Sequence, residues 1–294
     1  MIWGWLLLLV FCVSVAEGDE KVRILVGSPI RQKAAILNEF LESLKQQAQQ
    51  NYTLDYYFID DNDEAPSKGL LAAFKELMGD KCTIIEAAKR PKDSAYVCNE
   101  MTHCWRDELI WKVAAFKDQM IAHARDNGYD YLFLVDSDLV MHPKTIDTLQ
   151  DAHKDIISNI FWTSWQPGTL EMPQVWLTDD YTLWELLPGE QAISDEEKHK
   201  RMAAFFAMLR VPGVYEVGGL GACTLISRHA LEKGVSFKKI KNITLWGEDR
   251  HFCVRAVALG LLLNVDTHYP AYHIYRETLL GGVPAFKEAC HQAK

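Results

Sequence analysis

Hydrophobic and polar positions divide the first half of the chain into short elements. Lys21 to Val26, rich in Val, Ile and Leu, reads as a buried strand stopped by Gly27-Ser-Pro29. Ile36, Leu37, Phe40, Leu41 and Leu44 recur at helical spacing and predict a helix with one apolar face. Leu54 to Ile59 reads as a second strand, closed by Asp60-Asp-Asn-Asp63. Strand, helix, strand in this order predicts a βαβ unit and therefore a parallel pair. A short helix over Leu70 to Met78 and a short strand over Thr83 to Ile85 follow, then an irregular stretch from Glu86 to Arg106. Glu108 to Arg125 predicts a strong helix ending at Asn127-Gly128. Tyr131 to Val135 is apolar throughout, which predicts a central strand covered on both faces. Pro143 to His153 suits another helix.

From Ile156 the pattern changes. Phe161-Trp-Thr-Ser-Trp-Gln-Pro167 opens an aromatic, proline-marked stretch that runs to Pro188. Ser194 to Leu209 and Glu248 to Ala258 predict helices, with a short one over His229 to Lys233. Val217 to Ile226 reads as a glycine-rich turn entering a strand. Leu261 to Val265 reads as a last strand, and Tyr269 to Arg276 as a last motif. No linker-like stretch or repeat divides the chain, so 21–294 reads as one α/β domain with a mostly parallel central sheet flanked by helices.

Residues 1–20 stand apart. Ile2 to Ala16 is almost wholly apolar and precedes Glu17-Gly-Asp-Glu20. The run is shorter than the about 20 residues of a membrane span. It has the length of a signal peptide's apolar region, but no basic side chain precedes it. A signal, an anchor giving membrane association, and an apolar tail all fit. A bacterial source would favour a cytoplasmic or membrane-associated protein; a eukaryotic one with a working signal would favour the secretory lumen.

Composition narrows the function. The 294 residues are 49% hydrophobic and 24% charged, which is ordinary for a globular protein. The formal charge of -9 argues against a general nucleic-acid binder, which needs a basic face for phosphates. Of seven cysteines, six remain without Cys12, an even number that permits disulfides; no Cys-x-x-Cys pair suggests thiolate zinc. Asn51-Tyr-Thr53 and Asn242-Ile-Thr244 are glycosylation sequons, meaningful only in a secreted chain.

Ligands of open parallel sheets bind beyond the carboxyl ends of the strands. Three polar clusters fall at such ends: Gly27 to Arg31, Asp60 to Asp63, and Asp136 to Asp138. Each singly fits an ordinary strand-end turn. Asp136-Ser-Asp138, after a buried strand, fits two carboxylates that hold Mg²⁺ or Mn²⁺ against phosphate oxygens. Glu248 and Asp249 open a helix, where acids favour the positive end of the dipole; Asp249 there suits a general base. Trp246 beside them suits stacking on a sugar ring, and His273, among aromatics, is either a half-buried core residue or a metal ligand. Trp162, Trp165, Trp176 and Trp184 suit either a sugar cleft or a core.

These motifs, in this order, resemble a GT-A type glycosyltransferase, most like family-2-type or Anp-like mannosyltransferase-related bacterial proteins. The likeness runs from Val22 to Arg276 and rests on the βαβ start, Ile59-Asp-Asp-Asn62, Val135-Asp-Ser-Asp138, the glycine-rich turn, Trp246-Gly-Glu-Asp249 and the late histidine. It implies a Rossmann-like GT-A domain that moves a sugar from a nucleotide-diphosphate sugar to a hydroxyl of a glycan, lipid or protein. It implies that Asp60 or Asp61 contacts the nucleoside, that Asp136 faces ribose or sugar, and that Asp138 and His273 hold Mn²⁺ or Mg²⁺. Asp249, paired with Glu248, would be the base of an inverting reaction. Gly218, Gly219 and Gly221 would let the backbone approach the donor or acceptor. Ser28 and Arg31 fall on the donor side, with Arg31 toward the diphosphate, and Trp165 and Trp246 on the acceptor side. In retaining relatives the base role of Asp249 would not hold.

Three rival readings compete. Leu132-Phe-Leu-Val-Asp-Ser-Asp138 also resembles the first motif of haloacid-dehalogenase-like phosphatases, with Asp136 as nucleophile. That motif normally opens its domain, whereas a βαβ unit precedes it here. A nucleotidyltransferase would carry a glycine-rich, lysine-bearing start that Gly27-Ser-Pro-Ile-Arg31 does not match. A non-catalytic carbohydrate binder would keep the tryptophans without needing Asp138 or Asp249.

Overall fold

The computed structural model describes residues 21–47, 51–88, 106–178 and 180–292, together with the backbone at 97–98 and 103–104. The apolar segment of 1–20 and most of the irregular stretch before Arg106 lie outside the described residues. Among the described residues, no helix is long and apolar enough to cross a membrane.

The predicted βαβ unit is present: β1 (Val22–Ile30), α1 (Ala34–Lys45) and β2 (Tyr52–Asp60). The two strands pair in parallel from Val22 against Tyr52 to Ile30 against Asp60. α2 (Ala65–Met78), with Pro66 in its first turn, leads into β3 (Cys82–Glu86), parallel to β2. After the small hairpin β4 (Val97–Cys98) and β5 (His103–Cys104), α3 (Asp107–Asp126) crosses back. β6 (Tyr131–Leu134) then lies parallel to β1 on the side away from β2. The strand order therefore reverses between β1 and β6, and such a switch point opens a crevice at the carboxyl ends of the two strands.

The second half extends the same sheet. β7 (Leu139–Val140) and α4 (Thr145–Asp151) precede β8 (Ile156–Thr163); the small strands β9 (Met172–Pro173) and β10 (Val175–Trp176) follow. Next come α5 (Asp195–Leu209), β11 (Val214–Val217), β12 (Gly219–Leu220), β13 (Thr224–Ser227), α6 (Arg228–Lys233), α7 (Glu248–Ala258), β14 (Leu263–His273) and α8 (Val283–Gln292). The main sheet runs β11-β14-β8-β13-β6-β1-β2-β3. β13 is antiparallel to both β6 and β8, and β14 is parallel to β8.

Alternation along the strands explains the layers. Ile24 and Val26 of β1 and Phe133 of β6 pack with Leu37, Phe40 and Leu41 of α1. Leu25, Leu132 and Leu134 face the other way, onto Met120 and Ile121 of α3, with Phe252 of α7 in the same core. Caps set several helix starts: Ser194 accepts from Glu197 N before α5, and Ser227 from Ala230 N before α6.

The structure changes the sequence reading in three places. Ile156 to Thr163 is a core strand rather than the approach to an irregular segment; Ser158 and Asn159 interrupt its apolar pattern. The last strand and last motif are one strand, β14, with an irregularity in register between Asp266 and Ala271 that hides its continuity. Helix α8 and the 3-10 turn Glu277–Gly282 before it carry no strong sequence signal. Cys82, Cys223, Cys253 and Cys290 are buried free thiols; Cys12, Cys98 and Cys104 are not among the described side chains.

Candidate active site

Helix α3 brings a lysine to the crevice. Lys117 lies in its buried stripe with Ile110, Ala114, Ile121 and Ala124, and is 4% exposed. Its Nζ donates to Glu248 Oε1 at 3.0 Å and to Asp249 Oδ1 at 2.9 Å. It also stands 4.8 Å from the centre of the Phe237 ring. Glu248 and Asp249 begin α7, as their sequence position predicts. The start of α7 needs Gly247, whose φ of +101° suits glycine and whose absent Cβ would meet the Tyr181 hydroxyl at 2.3 Å.

One ammonium faces more than one carboxylate, and the electrostatics follow. Burial works against the Lys117 charge, but Asp249, Glu248 and Asp136 outweigh it and hold the ammonium well above its usual range. Glu248 is pushed up by burial and by Asp249, against the pull of Lys117. Burial raises Asp136 to about 7; Lys117 opposes this, while Asp138, Asp249 and Glu248 add to it. Among the described residues, the acids here thus outnumber the local positive charge. Pro29, Lys117, Asp136, Gly221, Thr224 and Asp249 line the cleft between them.

Asp138 and His273 meet across the sheet end. β14 pairs His273 with Leu139 of β7, and the backbone N–H of Ile274 donates to Asp138 O at 2.8 Å. This sets His273 Nε2 at 3.5 Å from Asp138 Oδ2. The other ring nitrogen, Nδ1, shares a 2.8 Å hydrogen bond with Thr163 Oγ1, to which Gln174 Nε2 also donates. A carboxylate oxygen and an imidazole nitrogen on one spot, with the far ring nitrogen fixed by a hydroxyl, fit a divalent ion. Among the described residues, no group of three or more His, Cys, Asp or Glu is arranged to hold a metal. Two protein ligands fit an ion that completes its shell with phosphate oxygens and water.

The acids after β2 sit in a separate network. Asp60 Oδ1 accepts from the backbone N–H of Asn62 at 2.9 Å and from its side-chain amide at 2.7 Å; Lys68 lies 3.6 Å from the other oxygen. Asp61 accepts from Lys112 Nζ at 2.8 and 2.9 Å, and Arg31 reaches Asp63 at 2.8 Å and Asp61 at 3.8 Å. Ser28 is fully enclosed, with no hydrogen-bond partner for its hydroxyl.

The glycines of the turn divide by surroundings. A Cβ at Gly218 would lie 1.8 Å from Leu177 O, and one at Gly219 would lie 2.0 Å from the Trp176 ring. At these two positions the close approach is internal packing. At Gly221 the nearest atoms would be Asp249 Oδ2 at 3.6 Å and Gln174 Oε1 at 3.7 Å, so this glycine borders the cleft. The tryptophans divide too. Trp176 is buried, and Trp162 packs on Phe206 beneath Arg210. Trp165 and Trp246 are about half exposed, at 48% and 50%. Buried Arg276 binds the carbonyls of Ser164 and Trp165, and Tyr181 OH donates to Trp246 O at 3.4 Å.

Lys117 was absent from the sequence reading. Its signal was a lysine at the centre of an apolar stripe, where charge is rarely buried without a partner.

Known proteins show the following similarities. Residues 21–165 match the family described as Glycosyltransferase family 25, N-terminal domain. A Drosophila melanogaster protein described as a Glycosyltransferase 25 family member is 25% identical over 148 residues, which make up 49% of this chain and 24% of that protein. The chain thus spans about a quarter of the length of this relative. The solved structure of the mannosyltransferase PcManGT from Pyrobaculum calidifontis, with GDP-Man and Mn²⁺, is 14% identical; the match covers 84% of this chain and 57% of that one, with a TM-score of 0.46. The structure of GalNAc-T7 with UDP, GalNAc and Mn²⁺ is also 14% identical; the match covers 87% of this chain and 44% of that one, with a TM-score of 0.53. The fold is that of the GT-A type glycosyltransferases. Its amino-terminal half is similar to glycosyltransferase family 25, where the sequence motifs alone suggested a family-2-type relative. The match to glycosyltransferases argues against the phosphatase reading of Asp136.

Proposed function

We propose that this chain transfers a sugar from a nucleotide-diphosphate sugar to a hydroxyl of a glycan, lipid or protein, in a reaction that depends on Mn²⁺ or Mg²⁺. The observation that carries this reading is the meeting of two groups at the β1/β6 switch: Asp138 with His273, and Glu248 with Asp249 through Lys117. A charged leaving group needs local positive charge, and a hydroxyl nucleophile needs a base. The first group suits a metal, which when bound neutralises the departing diphosphate. Mn²⁺ accompanies the solved structure of GalNAc-T7 compared above, which supports this choice of ion.

In this reading Asp136 faces the ribose or the donor sugar. Asp60, Asp61 and Arg31 form the nucleoside and diphosphate side, while Ser28 and Gly219, both enclosed, hold the strand and turn behind the cleft. Asp249, with Glu248 beside it, takes the proton of the acceptor hydroxyl in an inverting displacement. Trp246 and Trp165, half exposed on the flank, offer ring faces to the acceptor.

Thermal shift with a panel of nucleotide sugars, with and without Mn²⁺, tests the reading. Metal-dependent stabilisation by one nucleotide class is expected, because a ligand that binds only the folded state raises Tm. No response to any member of the panel would count against a transferase.

A further inference from the structure

The two oxygens of Asp249 have different surroundings. Oδ1 accepts from Lys117 at 2.9 Å. Oδ2 faces the Gly221 turn, where a side chain is missing and a Cβ would stand at an ordinary 3.6 Å. Lys117 comes from a helix remote in sequence, is almost fully enclosed, and divides its donors between Glu248 and Asp249. Fixing one carboxylate oxygen from behind orients the other.

We propose that Lys117 is a positioning residue for the transfer step: it anchors Asp249 through Oδ1, aims Oδ2 at the space over Gly221, and supplies the counter-charge that the Glu248–Asp249 pair faces. The proposal rests on the reading of Asp249 as the base. In the step, the acceptor hydroxyl proton passes to Asp249 Oδ2 and the hydroxyl oxygen bonds to the anomeric carbon. The bond from that carbon to the diphosphate oxygen breaks, and its electron pair leaves with the nucleoside diphosphate. Lys117 gains and loses no proton. Without its ammonium, Glu248, which burial and Asp249 already push up, would be pushed further toward its protonated form. The other titratable and charged groups facing this pair are Asp136 after β6, Tyr181 of the loop between β10 and α5, with Arg250 over its ring, and Cys253 of α7.

The test is a carboxyl ¹³C NMR titration of the metal-free full chain and of Lys117→Met and Lys117→Arg, with signals assigned through Glu248→Gln and Asp249→Asn. Release of nucleoside diphosphate from GDP-mannose and UDP-N-acetylgalactosamine with Mn²⁺ is followed against pH in parallel. The Glu248 midpoint is expected to rise by about one pH unit or more in Lys117→Met and by less in Lys117→Arg, and the acid limb of turnover is expected to move with it. Binding of GDP or UDP with Mn²⁺ should stay unchanged. If Lys117→Met does not fold, Lys117→Arg and the native chain carry the titration, and midpoints equal in the two would then count against the anchoring role. A Glu248 midpoint within about 0.3 unit of native in folded Lys117→Met overturns the proposal, whether or not the chain turns over a donor. A native chain inactive on both donors counts against the transferase reading instead, and the titration still decides the role of Lys117.

Discussion

Two acid clusters stand at the ends of the parallel strands, and α3 sends a lysine to each. Beyond β2, Lys112, Arg31 and Lys68 share Asp60, Asp61 and Asp63, so acids and bases nearly balance. Beyond β6, Lys117 meets both Glu248 and Asp249, with Asp136 close enough to feel its charge. The first cluster is largely satisfied from within the chain. The second carries excess negative charge, and burial drives Asp136 to about 7 because Lys117 cannot offset all its neighbours. A site left short of positive charge favours a cation at Asp138 and His273. The contrast teaches that acids at a strand end say little until their counter-charges are counted.

The largest expected effect separates the clusters by activity. Asp138→Asn should lower metal-dependent turnover by about 10²-fold or more without changing Tm. Asp63→Asn, in the balanced cluster, should leave turnover within about twofold, since Arg31 keeps Asp61 nearby. Full activity of Asp138→Asn in a steady-state assay would remove the metal assignment.

Stability comes next. Lys117→Met strands two carboxylates and should cost about 3 kcal/mol, the low end for a broken buried pair because Asp249 keeps some solvent contact. Lys112→Met should cost about 1–2 kcal/mol, because Arg31 remains within reach of Asp61. Urea unfolding of the two variants at neutral pH would show whether the losses differ; equal losses would erase the distinction.

The pH dependence sharpens the same point. The folded pKa of Asp136 lies above its unfolded value near 4, so the folded state binds more protons between the two. Its contribution to stability is full below pH about 4 and is lost as pH rises through about 7. In metal-free protein, Tm should therefore fall over that window, and Asp136→Asn should flatten the fall. An unchanged slope in Asp136→Asn would show that another group governs it.

The smallest effect concerns Gly221 of the turn, with the packed Gly219 as its counterpart. Gly219→Ala meets the Trp176 ring and should cost about 1–3 kcal/mol of stability. Gly221→Ala fits, should leave stability within about 0.5 kcal/mol, and should slow transfer by screening Asp249 Oδ2. Calorimetry beside acceptor kinetics distinguishes the two; a large Tm loss in Gly221→Ala would argue that this glycine, too, is packing.

Much of the fold was legible because its cues are local. The stripe from Ile36 to Leu44 became α1, and the apolar run at Tyr131 became β6. β8 escaped because Ser158 and Asn159 break the apolar run of a strand buried among others. β14 escaped because its register shifts after Asp266, which splits one strand into two apparent motifs. At the site, the sequence found both acid pairs and His273 but not Lys117. A periodicity argument treats a lysine inside an apolar stripe as an interruption, while the structure makes it the centre of the cluster.

The sequence by itself determined most of the elements of the first half, their order, the parallel start of the sheet and the acids at its strand ends. These follow from period, turn residues and chain connectivity, which act over a few residues. Only the tertiary structure decided which acids meet. Lys117 lies 131 and 132 positions from Glu248 and Asp249, and the sheet brings Asp138 onto a histidine of its penultimate strand in spatial order. It also decided that Gly219 and Trp176 pack on each other while Gly221, Trp165 and Trp246 stay open. The physical reason is range: a carboxylate's charge and direction depend on groups a few ångströms away in space, and those groups come from distant parts of the chain.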